Sequence, residues 1–178
     1  MLHGYTRQQD IIVGTLSPSG RKKGAYERLL GYFLNPVALR ANLSGNPTFH
    51  SLWQQMRNVT LGAISNDDVT LEQIAERIHV EPDPSRSLFF TVALSVAPDV
   101  PQLPVDWSMS YMDVESGGGR WDLYLEMNDR ADGMIGRAQY NPDLFGVATI
   151  IQTLDDLRRL LERAAANPSL PISELAAR

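Results

Sequence analysis

Residues 10–15 read Asp10-Ile11-Ile12-Val13-Gly14-Thr15, a short run of β-branched side chains that closes on a glycine. Such a run predicts a buried β-strand. A second apolar segment covers residues 29–40 and is interrupted by Asn35-Pro36. Because proline would remove a hydrogen-bond donor from a central strand, this point indicates a sheet edge, a bulge or a functional kink.

A long amphipathic helix is predicted after these two strands. Asn46 is the expected N-cap and Pro47 the first helical residue. The helix is expected to span about 18 residues. Its apolar face, at helical spacing, is made of Phe49, Leu52, Trp53, Met56, Val59, Ala63 and Ile64. Since burying such side chains stabilises a fold, we expect this helix to be a core element. Thr70 and Gln73 predict a capping box at the start of a shorter helix.

The second half of the chain predicts four strands and one long helix. The strands are expected over residues 88–96, 107–114, 121–127 and 134–140. The helix carries an apolar stripe from Val147 to Ala164 and should end at Asn167-Pro168. Strands and helices mix without strict alternation, which indicates an α/β fold of the two-layer α+β kind. In such a fold, helices cover one side of a mixed sheet.

The composition excludes several classes of protein. The chain has 178 residues, with 16 Lys and Arg against 21 Asp and Glu, a net charge of −5 and a pI near 5.1. This acidity excludes a nucleic-acid binder that acts through bulk charge. Hydrophobic residues make up 43%, as in one ordinary globular domain. The chain contains no cysteine, no signal-peptide core and no run near the roughly 20 apolar residues of a membrane helix, so a cytoplasmic location without membrane contact is expected.

No residue pattern indicates an active site. The three histidines, His3, His50 and His79, stand far apart, so neither a catalytic pair nor a metal site is predicted. Asp67-Asp68 precedes a helix, where carboxylates complement the positive end of the dipole. The glycine run 117–119 lacks the lysine of a phosphate-binding loop, and no Gly-x-Ser-x-Gly elbow exists. Residue chemistry alone therefore names no catalytic residue.

The order of several short motifs supports a more specific prediction. They are Asp10-Ile11-Ile12-Val13-Gly14-Thr15, Gly20-Arg21, the run from Gly31 to Arg40, Asn66 to Glu72, Pro82 to Phe89, Trp121 to Leu125, Tyr140 to Phe145 and Asn167 to Ile172. In this order, the set resembles the condensation domains of nonribosomal peptide synthetases. Each motif is weak by itself, but together they cover residues 10 to 175 in the family's order.

The resemblance implies a chloramphenicol-acetyltransferase-like fold of two lobes, the N-terminal one carrying a His-His-x-x-x-Asp-Gly motif. This chain has no His-His pair. It is therefore expected to be the C-terminal lobe alone, a single domain over residues 1–178. Residues 168–178 would begin the linker toward a following adenylation domain.

The family's activity sets the expected function. With its N-terminal lobe, the chain would form amide bonds between carrier-bound acyl or peptidyl groups and aminoacyl thioesters, and it would be inactive alone. Expected partners are the N-terminal lobe, an adjacent adenylation domain, and donor and acceptor carrier proteins. The phosphopantetheine arms of those carriers would enter the lobe, and no cofactor would bind directly. The alternative is a stand-alone, non-catalytic module that binds carrier proteins or other synthetase domains. Epimerisation and heterocyclisation branches of the fold remain open.

The resemblance also suggests site residues. Gly31, Phe33, Asn35 and Arg40 are expected along the substrate tunnel, with Asn35 facing it and Arg40 as a structural or wall residue. Five further motif positions receive no defined role, namely Asp67, Asp68, Ser85, Arg86 and Asp122. Four residues depart from the family's His-Gln-Asp-x-Pro-Phe-Glu pattern, with Asn66 for His, Asp67 for Gln, Thr70 for Pro and Leu71 for Phe. Segments that cross to the other lobe are expected within residues 97–120. An uncovered lobe face predicts self-association.

Overall fold

The computed structural model describes residues 1–18, 24, 28–81, 87–97, 106–107, 112, 119–130 and 133–176. In chain order, the elements are α1 (Leu2–Thr6), β1 (Asp10–Ser17), β2 (Asn35–Asn42), α2 (Phe49–Ser65), α3 (Leu71–Arg77), β3 (Val92–Ala97), β4 (Leu123–Arg130), β5 (Gly133–Tyr140), α4 (Val147–Ala166) and α5 (Ile172–Leu175). The predicted α/β fold class is confirmed.

Among the described residues, five strands form one mixed sheet in the order β2-β1-β3-β4-β5. The outer pairs β1–β2 and β4–β5 are antiparallel, whereas β3 pairs in parallel with β1 and β4. Pro36 lies in β2, at one edge of the described sheet. An edge strand tolerates proline because only one of its sides must supply ladder donors. Of the three predicted explanations for Asn35-Pro36, the sheet edge is therefore confirmed.

Apolar clusters lie on both faces of the sheet. On one face, Leu123 and Leu125 of β4 are buried against Ile150 of α4. Tyr124 points the other way, because side chains alternate along a strand. It packs on a second cluster, which consists of Leu71, Phe90, Ala93 and Trp121. The expectation that helices cover only one side is therefore wrong, since Leu71 of α3 packs on the opposite face from α4.

The predicted start of α2 is wrong by two residues. Its N-cap is Thr48, whose hydroxyl accepts a hydrogen bond from the Ser51 backbone N–H at 3.1 Å. Asn46 instead has a left-handed backbone, with φ of 53°. Its side chain bonds Ser173 near the other end of the chain, with Nδ2 donating to Oγ at 2.8 Å and Oδ1 accepting from the backbone N–H at 3.0 Å. The preferred cap residue is thus used for a tertiary contact.

The prediction that α2 is a core helix is also wrong for this chain. None of its residues is fully buried, and Trp53 is 53% exposed. The helix packs on β2, where the Gln55 side chain bonds both the N–H and the C=O of Asn42, at 2.8 and 3.2 Å. A helix laid on an edge strand has sheet beneath only part of its surface, so Leu61 and Ile64 also remain exposed.

Other predicted elements are confirmed with shifted ends. Thr70 and Gln73 form the capping box of α3, and α4 ends with Asn167 as its C-cap. The strand predicted over 88–96 begins at Val92, and the strand predicted over 121–127 begins at Leu123 and continues to Arg130. Most of the strand predicted over 107–114 lies outside the described residues.

The end of the chain folds back onto the first turn of α2. Phe49 N–H donates to Leu170 O at 3.0 Å, and His50 N–H donates to Pro168 O at 2.8 Å. These are two of the donors that a helix leaves unsatisfied at its N-terminus. Ile172 and Leu175 are buried. Over 168–176 the chain is thus attached to the fold, and the start of a linker toward a following domain stays a prediction.

No helix within the described ranges is long and apolar enough to span a membrane.

Candidate functional site

Three elements meet where β1 ends and β2 begins. Ser17 is the last residue of β1 and pairs with Asn35, the first residue of β2. The turn between α2 and α3 places Asp67 against both of them. Two of the residues singled out by the resemblance, Asn35 and Asp67, are therefore brought together by the fold.

Asp67 is buried, with 5% of its surface exposed. The Ser17 hydroxyl, itself buried, donates a hydrogen bond to its carboxylate. Such a bond to an ionised acceptor is among the stronger ones that a protein makes. Thr70 caps α3, and Glu72 is the acidic residue in its first turn, so the dipole role predicted for Asp67 and Asp68 stays a prediction.

Asn35 is half-buried and holds the same turn through its amide. Its Nδ2 donates to Asp67 O at 2.8 Å and to Val69 O at 3.1 Å. One side chain thereby satisfies two carbonyl groups of a turn that has no regular backbone ladder.

The segment before Asn35 exposes apolar side chains. Leu30 is fully exposed and Tyr32 is 72% exposed, whereas Phe33 is half-buried. A Cβ atom placed on Gly31 would lie 3.2 Å from the Phe33 ring, a tight contact that glycine avoids. Residues 29–34, called the apolar segment below, therefore present a hydrophobic surface beside the Asn35 and Asp67 contacts.

Arg40 lies on the other face of β2 from Asn35, because the two are five positions apart, an odd number, and side chains alternate. Its guanidinium makes a two-bond ion pair with Asp10 across the β1–β2 ladder, at 2.8 and 2.6 Å. This hydrogen bond from Arg40 lowers the pKa of Asp10, and the same bond raises the pKa of Arg40. Both side chains are exposed. The structure thus separates Arg40 from the residues grouped with it by sequence.

Asp122 lies directly before β4, which is separated from β2 by β1 and β3. Its carbonyl accepts the Asn141 N–H at 2.9 Å, and the Asn141 side chain accepts the Asp143 N–H at 3.0 Å. These bonds form the turn that leads into α4. Asp68 is exposed beside Asp67, and Ser85 and Arg86 lie outside the described residues.

Ser17 is a site residue that the sequence did not predict. The strand was predicted over residues 10–15, although Leu16 and Ser17 continue it. The available signal was the alternation of side chains along the strand, which buries the hydroxyl of Ser17 if the strand continues past Gly14. A buried hydroxyl needs a hydrogen-bond partner.

Histidines contribute nothing to this site. His3 bonds Gln8 O at 2.6 Å, and His50 bonds Gln54 at 2.9 Å and contacts the Trp53 ring. Within the described ranges, no group of three or more histidine, aspartate and glutamate side chains is arranged to hold a metal ion. The described site therefore offers hydrogen bonds, apolar surface and one buried carboxylate, that of Asp67.

Comparison with known proteins gives matches over nearly the whole chain. The family model described as "Condensation domain" matches residues 1–177. One of the linear gramicidin synthase proteins of Brevibacillus parabrevis is 34% identical over 179 residues, covering 98% of this chain and 4% of that protein. Surfactin synthase subunit 1 of Bacillus subtilis (strain 168) is 34% identical over 176 residues, covering 98% of this chain and 5% of that protein. The chain thus spans a small part of these relatives.

Solved structures agree. The X-domain in complex with OxyB from teicoplanin biosynthesis superposes with a TM-score of 0.84 at 29% identity, covering 98% of this chain and 39% of that one. A four-domain nonribosomal peptide synthetase, holo-AB3403, gives a TM-score of 0.87 at 19% identity, covering 99% of this chain and 15% of that one. The second similarity supports the fold only. Together with the family match over residues 1–177, these findings show that the chain belongs to the condensation-domain family.

Proposed function

We propose that this chain is the C-terminal lobe of a condensation domain and takes part in amide-bond formation between carrier-bound thioesters. The observation that carries the proposal is the family match over residues 1–177 in a chain without a His-His pair. The coverage of 39% of the matched X-domain chain supports a partial domain. The chain is inactive alone in this proposal.

The missing imidazole defines what this lobe contributes. Deprotonation of an attacking amine near neutral pH is suited to a placed histidine. In this proposal, that histidine comes from the N-terminal lobe, and no catalytic residue lies in this chain. This lobe supplies one wall of the substrate path, built from Gly31 and Phe33 in the apolar segment and from Asn35 at its end. Arg40 serves this wall indirectly, by pairing β2 with β1 through Asp10.

The proposed partners follow from that activity. They are the N-terminal lobe, donor and acceptor carrier proteins, and an adjacent adenylation domain. The phosphopantetheine arms of the carriers are the groups that the path must admit, and its exposed apolar side chains Leu30 and Tyr32 suit the methylene portions of such an arm. The proposed location is the cytoplasm, where synthetases of this kind would find their aminoacyl substrates.

A second candidate is a non-catalytic docking module. The observation that favours it is the similarity to an X-domain, which was solved in a complex with OxyB. A member of this fold can thus be found bound to another protein. In this alternative, the chain binds carrier proteins or other synthetase domains and performs no chemistry.

Reconstitution with an N-terminal lobe distinguishes the two candidate functions. The chain is combined with an N-terminal lobe from its synthetase, and amide product from carrier-bound donor and acceptor is measured by mass spectrometry. The matched control is an N-terminal lobe whose second motif histidine is replaced by alanine. Product that requires both lobes and the intact histidine supports the proposal, whereas product from this chain alone overturns it. Carrier binding without product from the intact pair favours the docking module.

A further inference from the structure

We infer that Ser17, Asn35 and Asp67 form a clamp that positions the apolar segment on the proposed substrate path. The inference rests on the proposed function, because it names the residues that place one wall of that path. They are positioning residues and not catalytic ones.

The clamp joins three elements that are distant in sequence. The Ser17 hydroxyl at the end of β1 donates to the Asp67 carboxylate, and the Asn35 amide at the start of β2 donates to the carbonyls of Asp67 and Val69. Thr70, the next residue in the turn, caps α3. The turn 67–70 is therefore fixed from both strands and from the following helix.

The position of Asn35 decides what the clamp controls. It directly follows the apolar segment, so the path of that segment ends at a residue tied to the turn. Leu30 and Tyr32 are exposed, and only the half-buried Phe33 packs partly into the fold. Because so little of the segment is buried, its position depends largely on the residue that attaches it to the fold, which is Asn35. Both amide hydrogens of Asn35 are engaged by carbonyls, so the side chain does not donate to a substrate, and we infer that it acts on the substrate by placing the apolar segment.

Asp67 makes this arrangement specific to the chain. It stands where the family pattern carries glutamine, whereas the aspartate of that pattern corresponds to the exposed Asp68. A buried carboxylate is costly unless hydrogen-bonded, and Ser17 supplies such a bond. The family pattern therefore does not predict the Ser17–Asp67 bond of the clamp.

The test compares Asn35→Asp with Asn58→Asp, both in this chain combined with its N-terminal lobe. The first change replaces an amide donor by an acceptor facing two carbonyls, and the second makes the same change on the exposed side of α2. Hydrogen exchange is followed over residues 28–35 and over β4–β5, and kcat and KM are measured with carrier-bound substrates. We expect exchange over 28–35 to accelerate by about tenfold in Asn35→Asp, with β4–β5 unchanged.

Activity distinguishes positioning from mere stability. We expect kcat/KM to fall by about tenfold in Asn35→Asp, mostly through kcat, because a displaced wall misaligns bound substrate. Unchanged exchange over 28–35 overturns the clamp, and faster exchange with activity equal to that of Asn58→Asp overturns its positioning role. If Asn35→Asp does not fold, Ser17→Ala replaces it, with the same direction expected. Failure of the unaltered two-lobe protein to form amide would overturn the proposed function, whereas the exchange result still decides the clamp.

Discussion

Gly14 of β1 lies directly beneath the ring of Phe90, so that a Cβ atom on Gly14 would overlap the ring carbons. Phe90 is buried in the cluster with Trp121 and Ala93, and Ala93 is paired with Gly14. The glycine is thus required by space and not by backbone conformation. This contact fixes the junction between the antiparallel pair and the rest of the sheet.

Gly14→Ala should destabilise the chain by about 1–3 kcal/mol, the usual cost of overpacking a core. Urea unfolding measures the change. Gly62→Ala is the matched control, because a Cβ atom there meets open space on α2, and replacing glycine within a helix should stabilise by about 0.5–1 kcal/mol. Equal effects of the two variants would contradict the close packing at Gly14.

Thr70→Ala should cost about 1 kcal/mol, because it removes the hydroxyl that caps α3 and half of the capping box. The same urea measurement applies. Thr70→Ser keeps the hydroxyl, so stability close to that of the unaltered chain is expected. An alanine variant as stable as the serine variant would show that the cap contributes nothing measurable.

The Asp10–Arg40 pair should make folding stability depend on pH only in the acidic range. The pKa of Asp10 is lowered in the folded chain. The contribution of the ion pair to folding stability is therefore complete above the ordinary carboxyl pKa and is lost as pH falls through the lowered value. In Arg40→Gln, NMR titration should find the Asp10 pKa returned toward its ordinary value. High salt should shift it the same way in the unaltered chain, since both groups are exposed. A pKa unaffected by Arg40→Gln would contradict the ion pair.

The chain alone should self-associate through its exposed apolar side chains. Leu30 and Tyr32 are the most exposed members of the apolar segment, and large apolar patches promote association. Sedimentation equilibrium should report a concentration-dependent dimer that the variant Leu30→Ser/Tyr32→Ser weakens. Trp53→Gln on α2 is the control at a separate surface. A monomer at high concentration would contradict the prediction.

Local signals predicted much of the fold. Short windows of sequence encode the β-branched run of β1, the capping box at Thr70 and the apolar stripe of α4, and all three elements are present. The failures have a tertiary cause. Asn46 is a good cap residue, but its side chain bonds Ser173, which is 127 positions away.

The site was predictable only in part, for the same reason. The resemblance named Asn35 and Asp67, but it could not tell that they meet, because their contact depends on how the α2–α3 turn reaches the strand ends. Arg40 was grouped with Asn35 from its motif, whereas strand alternation puts the two on opposite faces. Ser17 was missed because the end of β1 was placed two residues too early.

The attachment of residues 168–172 to the first turn of α2 has a mechanical consequence. A pull on the chain at residue 176 acts first on the bonds of residues 172–174 to Arg163, Asn46 and Pro47, and then on the bonds of Leu170 and Pro168 to Phe49 and His50. Part of the load therefore falls on the start of α2. Because α2 is fastened to β2 through Gln55, that load continues into the strand that begins at Asn35. Tension at this end of the chain is therefore transmitted along a helix to the edge of the sheet.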